Sequence, residues 1–279
     1  MSIAIVTDST SDISPELATE NEIHVIPAIL VVDGRSLEDG RGISREELYR
    51  QLPIMKVSPS TAAPSSGTFQ TLYEALLKKG AEQIISIHVS GILSGMVNTA
   101  LVAARAIGKQ VHVVDSRHVT LGLGYQVLAA AQAARAGKPL DEILKAIDEI
   151  RKRIKLVAML DTLEYAYRSG RISWARSSLS AFLQIKPFVG VEDGKVIRMG
   201  EARTRQKGIE RLYHMLAELG PLDHLAVLHT NAESDAHQMV ANFTDSVKNH
   251  PFIVNVTSII GMHVGPNGLG FVAVTSQGD

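Results

Sequence analysis

The sequence predicts an α/β protein of two α/β domains, the first with a parallel, Rossmann-like sheet and the second with a mixed or antiparallel sheet. In the first half, short apolar runs such as Ile84–Val89 alternate with helix-forming segments, which is the pattern of βαβ units in an open parallel sheet. In the second half, two β-rich runs flank Asp193-Gly194, a pair typical of hairpin turns, so this half includes antiparallel strands. We place the boundary after the charged run that ends at Lys155, which gives domains of residues 1–155 and 156–279.

The elements of the first half follow from apolar runs, turn pairs and helix caps. Ile23–Val32 forms one long β-rich segment, and Asp33-Gly34 predicts a hairpin turn after it. Ser44 opens a helix with a capping box, since Glu47 stands three residues further on. The other predicted elements are strand Ile3–Thr7, a short helix near Pro15–Thr19, the hairpin partner Arg35–Glu38, helix Ser66–Lys79, strand Ile84–Val89, helix Met96–Ile107, strand Val111–Val114 and an apolar, buried helix that reaches Ala134.

The second half begins with a strand and two helices and then turns to hairpin and α/β elements. The predicted order is strand Leu156–Leu160, helices Thr162–Arg168 and Ser173–Leu183, hairpin strands Lys186–Glu192 and Val196–Thr204, helix Lys207–Leu219, strand Leu225–His229, helix Ser234–Asn249 and strands Phe252–Ile259 and Gly270–Thr275.

Composition excludes several classes of function. The chain has 279 residues, 45% hydrophobic and 20% charged, as in a soluble globular protein. A net charge of −1 gives no indication of nucleic acid or an anionic membrane as partner. The absence of cysteine excludes thiolate catalysis and Cys-ligated metals and favours the cytoplasm. The N-terminus lacks a signal peptide's basic region, and the most apolar stretch, residues 119–134, is shorter than the ~20 residues of a membrane span. We expect no metal and no cofactor.

The loop Ser90–Gly95 is the most informative segment for function. It follows a predicted strand and precedes a predicted helix, so its hydroxyls and the helix N-terminal N–H groups point at one spot. Such a spot suits an anion, because helix N-termini carry unpaired donors and a partial positive charge. Ser94 is equally explained as a plain N-cap, which contributes about 1 kcal/mol and needs no ligand. The loop alone does not choose between phosphate and carboxylate.

Three further segments carry candidate polar residues, each with a structural alternative. Thr61 lies in a Pro/Ser-rich loop before the Ser66 helix, where a stiff helix entry is the alternative. Arg171, flanked by Gly and Ser, suits a carboxylate or phosphate, or else an inter-domain salt bridge. His263 stands near the start of Gly261–Gly270, where five residues in ten are Gly or Pro and backbone is expected to approach another group closely. A structural histidine is the alternative there.

Two glycines stand at the start of the apolar helix that follows Asp115. Gly122 and Gly124 each cost about 1 kcal/mol in a helix relative to Ala. Their presence predicts the close approach of another backbone, through tight packing, or of a long apolar ligand.

Taken together, these segments resemble the DegV family of bacterial fatty-acid-binding proteins, and the match runs in order along the whole chain. The motifs that carry it are short individually and specific as an ordered set: Thr7-Asp8-Ser9-Thr10-Ser11-Asp12, the loop Thr61–Ser65, Ser90–Gly95, Val114-Asp115-Ser116, Gly170-Arg171-Ile172-Ser173, Lys186-Pro187, Arg203-Thr204-Arg205 and His263-Val264-Gly265-Pro266.

The resemblance implies a lipid-binding protein rather than an enzyme. It implies that a long-chain fatty acid such as hexadecanoate lies between the two domains, with its tail in an apolar tunnel. By position, Thr61 and Ser94 match the family's head-group hydroxyls, and Arg171 and His263 match residues near the carboxylate. Some members are subunits of a fatty acid kinase, so a separate kinase that makes acyl phosphate is an implied partner.

The sequence departs from the family pattern at positions close to the head group. Ala62 and Ala63 stand where the family has two polar residues, and Met96 stands where it has Thr. These changes make the cage around the head group less polar, while the hydroxyl pair is retained.

A self-contained enzyme is the competing interpretation. Ser94, His263 and either Asp8 or Asp115 form a hypothetical hydrolase triad, or a phosphotransfer site for a small anionic substrate. Ser94 lacks the Gly-x-Ser-x-Gly elbow, and the chain has no Walker sequence and no His-Glu-x-x-His. The basic residues Arg203, Arg205, Lys207 and Arg211 suit a docking partner or a solvated helix face.

Overall fold

A computed structural model describes residues 2–172, 174 and 185–276. The strands are β1 Ile3–Asp8, β2 Ile23–Ile26, β3 Ile29–Val32, β4 Arg35–Glu38, β5 Ser60–Ala62, β6 Gln83–His88, β7 Val111–Asp115, β8 Ile154–Met159, β9 Lys186–Glu192, β10 Lys195–Ala202, β11 Leu222–His229, β12 Phe252–Asn255 and β13 Leu269–Thr275. The helices are α1 Pro15–Glu20, α2 Arg45–Gln51, α3 Ser66–Lys78, α4 Met96–Ile107, α5 Leu121–Arg135, α6 Leu140–Arg153, α7 Glu164–Arg168, α8 Arg205–Ala217, α9 Glu233–Phe243 and α10 Ser258–Val264.

The chain divides into two compact units, both discontinuous in sequence. The first unit comprises Met1–Ile29, Thr61–Lys152 and the short turn Asp193–Lys195. The second comprises Leu30–Ser60, Arg153–Glu192 and Val196–Asp279. This division departs from the predicted domains of residues 1–155 and 156–279, chiefly because the segment 30–60 belongs to the second unit.

Segment 30–60 joins the second unit through helix α2, which packs on α10. The Tyr49 hydroxyl is buried and lies 2.5 Å from Val256 O and 3.1 Å from Thr257 O. The Arg45 guanidinium donates to Asn255 O. These contacts connect residues about 200 positions apart, so no local sequence pattern announces them.

The first unit is built on a parallel four-stranded sheet of order β2-β1-β6-β7. Strand β1 pairs in parallel with β2 on one side and with β6 on the other, and β6 pairs in parallel with β7. Apolar side chains of β1 and β6, such as Ile5, Val6, Ile84 and Ile85, are buried, as expected for a sheet covered on both faces. The predicted parallel, Rossmann-like sheet is therefore confirmed.

The second unit is built on a six-stranded mixed sheet of order β10-β9-β8-β13-β11-β12. Strands β9, β8, β13 and β11 pair antiparallel in turn, and β11 pairs in parallel with β12. Phe188, Leu212, Val227 and Phe271 belong to its main hydrophobic core. The predicted mixed second sheet is confirmed. A third sheet has the order β4-β3-β5.

The long β-rich segment Ile23–Val32 is two strands rather than one. Strand β2 ends at Ile26, immediately before Pro27, and pairs with β1, whereas β3 lies in the three-stranded sheet. Proline has no N–H to donate to a ladder, so the run is interrupted there.

Two predicted boundaries in the last third of the chain are also wrong. Strand β12 ends at Asn255 rather than Ile259, because Thr257 caps helix α10 with its hydroxyl, which accepts from Ile260 N at 3.5 Å. Helix α9 ends at Phe243 rather than Asn249 and is followed by a 3-10 turn, Thr244–Ser246. The predicted helix Ser173–Leu183 lies outside the described residues, apart from position 174.

Helix α5 is buried at its N-terminal half, as its apolar sequence predicts. A Cβ at Gly124 would lie 2.6 Å from the backbone oxygen of Ser11. The close neighbour of Gly124 is thus another backbone of the first unit, which favours the tight-packing interpretation at this position. Among the described helices, none has both the length and the apolar character that a membrane crossing requires.

Candidate functional site

Strand order alone marks a candidate site in the first unit. The chain moves from β1 to β2 on one side of the sheet and later adds β6 on the other side of β1. Such a switch point leaves a crevice beyond the carboxyl ends of the two central strands, where open α/β sheets bind ligands. Strand β1 ends at Asp8, and β6 ends at His88 and leads into the loop Ser90–Gly95.

Two carboxylates hold the start of this loop. Asp8 Oδ2 accepts a hydrogen bond from Val89 N at 3.1 Å, and Asp115 Oδ2 accepts one from Gly91 N at 3.2 Å. Hydrogen bonds with a charged partner are stronger than neutral ones, so both positions are firmly fixed. The sequence placed both aspartates in DegV motifs and in a hypothetical hydrolase triad, and it gave no indication of this role.

Ser90 organises the rest of the loop from a fully buried position. Its N–H donates to His118 O, and its carbonyl accepts from both Leu93 N and Ser94 N, each at 3.0 Å. Its hydroxyl accepts from Ile92 N at 3.2 Å and donates at 2.8 Å to the carbonyl of Gly194, in the turn counted with this unit. The backbone donors of residues 89–94 are therefore all used within the chain, and the expected cradle of free N–H groups is wrong for this stretch.

Ser94 differs from Ser90 in having a half-buried side chain and weak internal bonding. Its hydroxyl accepts from Met96 N at 3.4 Å, close to the limit for a hydrogen bond. Gly95, not Ser94, is the N-cap of α4, and it supplies no side chain. The first turn of α4 therefore has no side-chain cap at its N-cap position, and its first N–H, on Met96, makes only this long bond to the Ser94 hydroxyl.

The loop that carries Thr61 lies beside the Ser90–Gly95 loop. A Cβ at Gly95 would be 3.9 Å from the Ala63 Cβ, and helices α3 and α4, which follow the two loops, pack on each other. Thr61 is half-buried. The structure thus brings together the two loops with the predicted head-group hydroxyls, and the Ala63 methyl group lies where the family resemblance predicts a polar side chain.

The other two predicted residues lie together in the second unit. Ile172 and Val264, the neighbours of Arg171 and His263, pack in one hydrophobic cluster. Arg171 Nη1 donates to Ser169 O, and burial lowers the pKa of the Arg171 guanidinium. Burial, and secondly the positive charge of Arg171, lowers the pKa of His263 to about 3. His263 is therefore a neutral donor or acceptor at neutral pH.

His263 lies in the last turn of helix α10, not in a loop as predicted. The close approach expected of the glycines around it comes from the protein itself. A Cβ at Gly261 would lie 1.9 Å from the Tyr49 ring. Buried Thr230 holds the turn that follows, since its hydroxyl donates to Gly265 O and accepts from Gly268 N, both at 2.7 Å.

The hydrolase triad does not assemble around its predicted carboxylates. Asp8 accepts from His88 Nδ1 at 3.0 Å and from Val89 N, and Asp115 accepts from Gly91 N and from Arg117 N at 2.8 Å. The described residues also include no group of three or more His, Asp or Glu side chains placed to hold a metal ion.

Two of the four basic residues singled out near β10 and α8 are used in packing. Arg205 pairs with Asp235 at 2.5 Å and donates to Asn267 O. Arg211 donates to Glu201 O at 3.1 Å and lies over the Phe188 ring, 5.1 Å from its centroid.

Comparison with known proteins decides the family. A family model described as "Uncharacterised protein, DegV family" matches residues 2–276. The chain belongs to the DegV family. A DegV domain-containing protein of Staphylococcus aureus (strain COL) is 34% identical over 274 residues, which cover 97% of this chain and 98% of that protein.

Two solved DegV structures have the same fold over nearly their whole length. A fatty-acid-binding DegV family protein from Thermus thermophilus has a TM-score of 0.90 at 29% identity, over 99% of this chain and 100% of that one. DegV of Bacillus subtilis, described as a fatty acid binding protein, has a TM-score of 0.86 at 28% identity, with the same coverage. The DegV recognition made from the ordered motifs is confirmed.

Proposed function

We propose that this protein binds a long-chain fatty acid and that the hydroxyls of Ser94 and Thr61 hold its carboxylate. The observation that carries the proposal is the weak internal hydrogen bonding of the Ser94 hydroxyl, in the loop that follows β6 at the switch point. The loop around it is fixed by internal hydrogen bonds, while its hydroxyl only accepts a long bond from Met96 N. Its proton is therefore available to an acceptor that a ligand supplies.

The relatives support the chemical class of the ligand. The Thermus thermophilus and Bacillus subtilis proteins are both described as binding fatty acids. The tail supplies the affinity, because each buried CH₂ contributes about 0.8 kcal/mol, or on the order of 10 kcal/mol for a sixteen-carbon chain such as hexadecanoate. The head group supplies orientation, since a buried carboxylate must be paired. The tunnel between the domains that the resemblance implies stays a prediction.

Arg171 and His263 remain predicted ligands of the carboxylate and have distinct roles. Arg171 supplies a positive charge and a rigid set of donors suited to a carboxylate. His263, with its lowered pKa, supplies one N–H without adding charge. Arg171→Lys keeps the charge and removes the planar fork, so it is expected to weaken binding less than Arg171→Ala.

The test is identification of the bound lipid followed by removal of one hydroxyl. Native mass spectrometry of the purified protein is expected to show a bound acyl chain, identified after extraction. Ser94→Ala is expected to weaken binding by at least about tenfold, because a hydrogen bond to a charged group contributes roughly 1.5–3 kcal/mol. Thr99→Ala is the matched control, since the Thr99 hydroxyl bonds to Gly95 O on its own helix. Empty protein, or equal affinities for both variants, would contradict the proposal.

We further propose that the loaded protein presents the carboxylate to a separate kinase in the cytoplasm. A carboxylate oxygen would attack the γ-phosphorus of ATP, forming the acyl phosphate and releasing ADP. The test mixes loaded protein, ATP and a fatty acid kinase catalytic subunit and traps acyl phosphate with hydroxylamine. Ser94→Ala is expected to lower the yield at saturating ligand, and no product with the unmodified protein would count against the partner.

The competing hydrolase is disfavoured because Asp8 already accepts a hydrogen bond from His88 and Asp115 accepts one from Gly91 N. An ester-hydrolysis assay separates the two, because we expect ligand binding without turnover. Turnover that disappears in Ser94→Ala would favour the enzyme.

A further inference from the structure

A chain of four buried polar side chains crosses the core of the first unit. The Tyr73 hydroxyl donates to Ser86 Oγ at 2.8 Å, Ser86 Oγ lies 2.6 Å from His88 Nε2, and His88 Nδ1 lies 3.0 Å from Asp8 Oδ2. All four side chains are fully buried. Ser, His and Asp here have the connectivity of a catalytic triad.

This hydrogen-bond chain of four side chains is unsuited to nucleophilic catalysis. Ser86 Oγ is inaccessible to solvent and already accepts a hydrogen bond from Tyr73. A nucleophile needs one open side toward its substrate, and this oxygen has none. The same residues therefore need a different explanation.

One proton arrangement satisfies every group in the chain. Tyr73 donates to Ser86, Ser86 donates to His88 Nε2, and His88 donates from Nδ1 to Asp8. With a proton on Nε2 instead, Ser86 would receive two donors and its own proton would lose its acceptor. Buried polar groups left unpaired are costly, so the Nδ1–H tautomer is favoured.

Asp8 is the end point of the chain and also holds the backbone around it. Its Oδ2 accepts from Val89 N at 3.1 Å, besides His88. Its Oδ1 accepts from Thr10 N at 3.1 Å and from the Thr10 hydroxyl. A buried carboxylate with four donors is fully satisfied, and such networks specify one arrangement of the surrounding backbone.

The hydrogen-bond chain connects the elements next to the two loops that carry the proposed head-group hydroxyls. Tyr73 is on α3, which follows the Thr61 loop, and Asp8 holds Val89, which precedes the Ser90–Gly95 loop. Phe69, also on α3, packs edge-on against the His88 ring at 5.3 Å between centroids. A movement of α3 relative to β6, or of Val89 relative to Asp8, would break or lengthen this hydrogen-bond chain.

We propose that Asp8 and His88, supported by Ser86 and Tyr73, are positioning residues that fix the Ser94 loop relative to the Thr61 loop for carboxylate binding. The proposal rests on the proposed function for its ligand, but not for its geometry. Asp8 acts through Val89 N and His88 acts through Asp8, so neither touches the ligand.

The decisive variant is Asp8→Asn, which preserves shape and replaces one acceptor oxygen with a donor. An NH₂ group facing His88 and Val89 would move the imidazole proton to Nε2 and leave Val89 N without its acceptor. ¹⁵N NMR of the imidazole is expected to show Nδ1–H in the unmodified protein and Nε2–H in the variant. Amide exchange is expected to accelerate at Val89, while amides of β7 keep their protection.

Ligand affinity provides the functional readout. Fatty acid binding by Asp8→Asn is expected to fall about tenfold, similar to the loss of one hydrogen bond to a charged group. Asp148→Asn changes a half-exposed carboxylate on α6 that pairs with Lys152; it is the matched control and is expected to bind normally. Ser86→Ala, which leaves Asp8 in place, serves if Asp8→Asn does not fold; it is expected to weaken binding less and to shift the His88 Nε2 resonance.

The outcomes separate this proposal from the proposed function. If Ser94→Ala weakens binding but Asp8→Asn, or Ser86→Ala in its place, changes neither affinity nor the exchange of Val89, the positioning role is wrong and the proposed function stands. If the protein binds no fatty acid, the proposed function fails, while the tautomer and exchange results still decide whether the chain fixes the loop. An Nε2–H tautomer in the unmodified protein overturns the proposal directly.

Discussion

The Ser90–Gly95 loop of the first unit and the Gly261–Gly268 segment of the second unit are both rich in glycine but differ in structure. Both combine glycine with a polar residue that is predicted to contact the carboxylate. In the first, a Cβ at Gly95 would meet only the Ala63 Cβ at 3.9 Å. The Ser94 hydroxyl there accepts one long hydrogen bond, from Met96 N at 3.4 Å. In the other segment, Gly261 lies against the Tyr49 ring, and Thr230 uses both of its hydroxyl bonds on the turn.

The difference shows that glycine density by itself does not indicate open space for a ligand. The two segments are distinguished by how much space the protein's own atoms leave beside the glycine. The Gly261–Gly268 segment is glycine-rich because aromatic rings of the same unit occupy the space that side chains would need. His263 is the part of it that remains a predicted ligand.

The largest effect is expected from adding a methyl group at Gly261, compared with the same change at Gly95. Gly261→Ala places a Cβ 1.9 Å from the Tyr49 ring and is expected to destabilise the protein by about 3 kcal/mol, the upper end of the 1–3 kcal/mol that overpacking typically costs. Gly95→Ala is the matched variant and is expected to change the free energy of unfolding by less than about 1 kcal/mol. Urea unfolding measures both. Equal losses would remove the distinction between the two segments.

A smaller effect is expected from Ser90→Ala, which removes the buried hydroxyl that organises the first loop. Ile92 N and Gly194 O lose their partner, which is expected to cost about 1–3 kcal/mol. Ser94→Ala is expected to be nearly neutral in the same unfolding experiment, because its hydroxyl makes only one long bond. Reversed results would mean that the hydroxyl of Ser94, and not that of Ser90, stabilises the loop.

The most gradual effect, spread over several pH units, is the pH dependence contributed by His263. Its pKa of about 3 in the folded state is below the ordinary value of 6.5, so between these values the unfolded state binds more protons. The stability it contributes is complete above pH 6.5 and is lost as pH falls toward 3, by at most about 1.4 kcal/mol per pH unit.

Comparison with His263→Asn isolates this contribution, because burial also lowers the pKa of His224 and His229. The variant is expected to show a shallower loss of stability between pH 6.5 and about 5. Identical slopes for the two proteins would show that His263 titrates normally. A bound carboxylate is expected to raise the pKa of His263, which NMR titration of the loaded protein would detect.

The sequence predicted most of the fold because its signals are local. The hairpin at Asp193-Gly194 forms with positive φ at both residues, as this pair favours. The Ser44 cap is present, with its hydroxyl accepting from Glu47 N at 3.1 Å. The errors occur where one local signal overrides another, as when Pro27 interrupts a β-rich run and Thr257 starts a helix inside one.

The candidate site could be predicted only in part. The hydroxyls of Thr61 and Ser94 follow from their loop context and from the DegV resemblance, and their roles stay predictions. The roles of Asp8, His88 and Ser86 could not be read from the sequence, because their hydrogen bonds join β1, β6 and α3 across up to 81 positions. The alternation of polar residues at 86 and 88 within an apolar strand was the available signal.

The sequence by itself determined the family, the parallel and mixed sheets and the loops that carry hydroxyls, because periodicity, turn pairs and short motifs are properties of neighbouring residues. Only the tertiary structure decided that segment 30–60 belongs to the second unit, that Ser90 is structural and that Asp8 holds the loop. These facts depend on which distant groups meet in the core, where an unpaired polar atom or an overlapping side chain is too costly to persist.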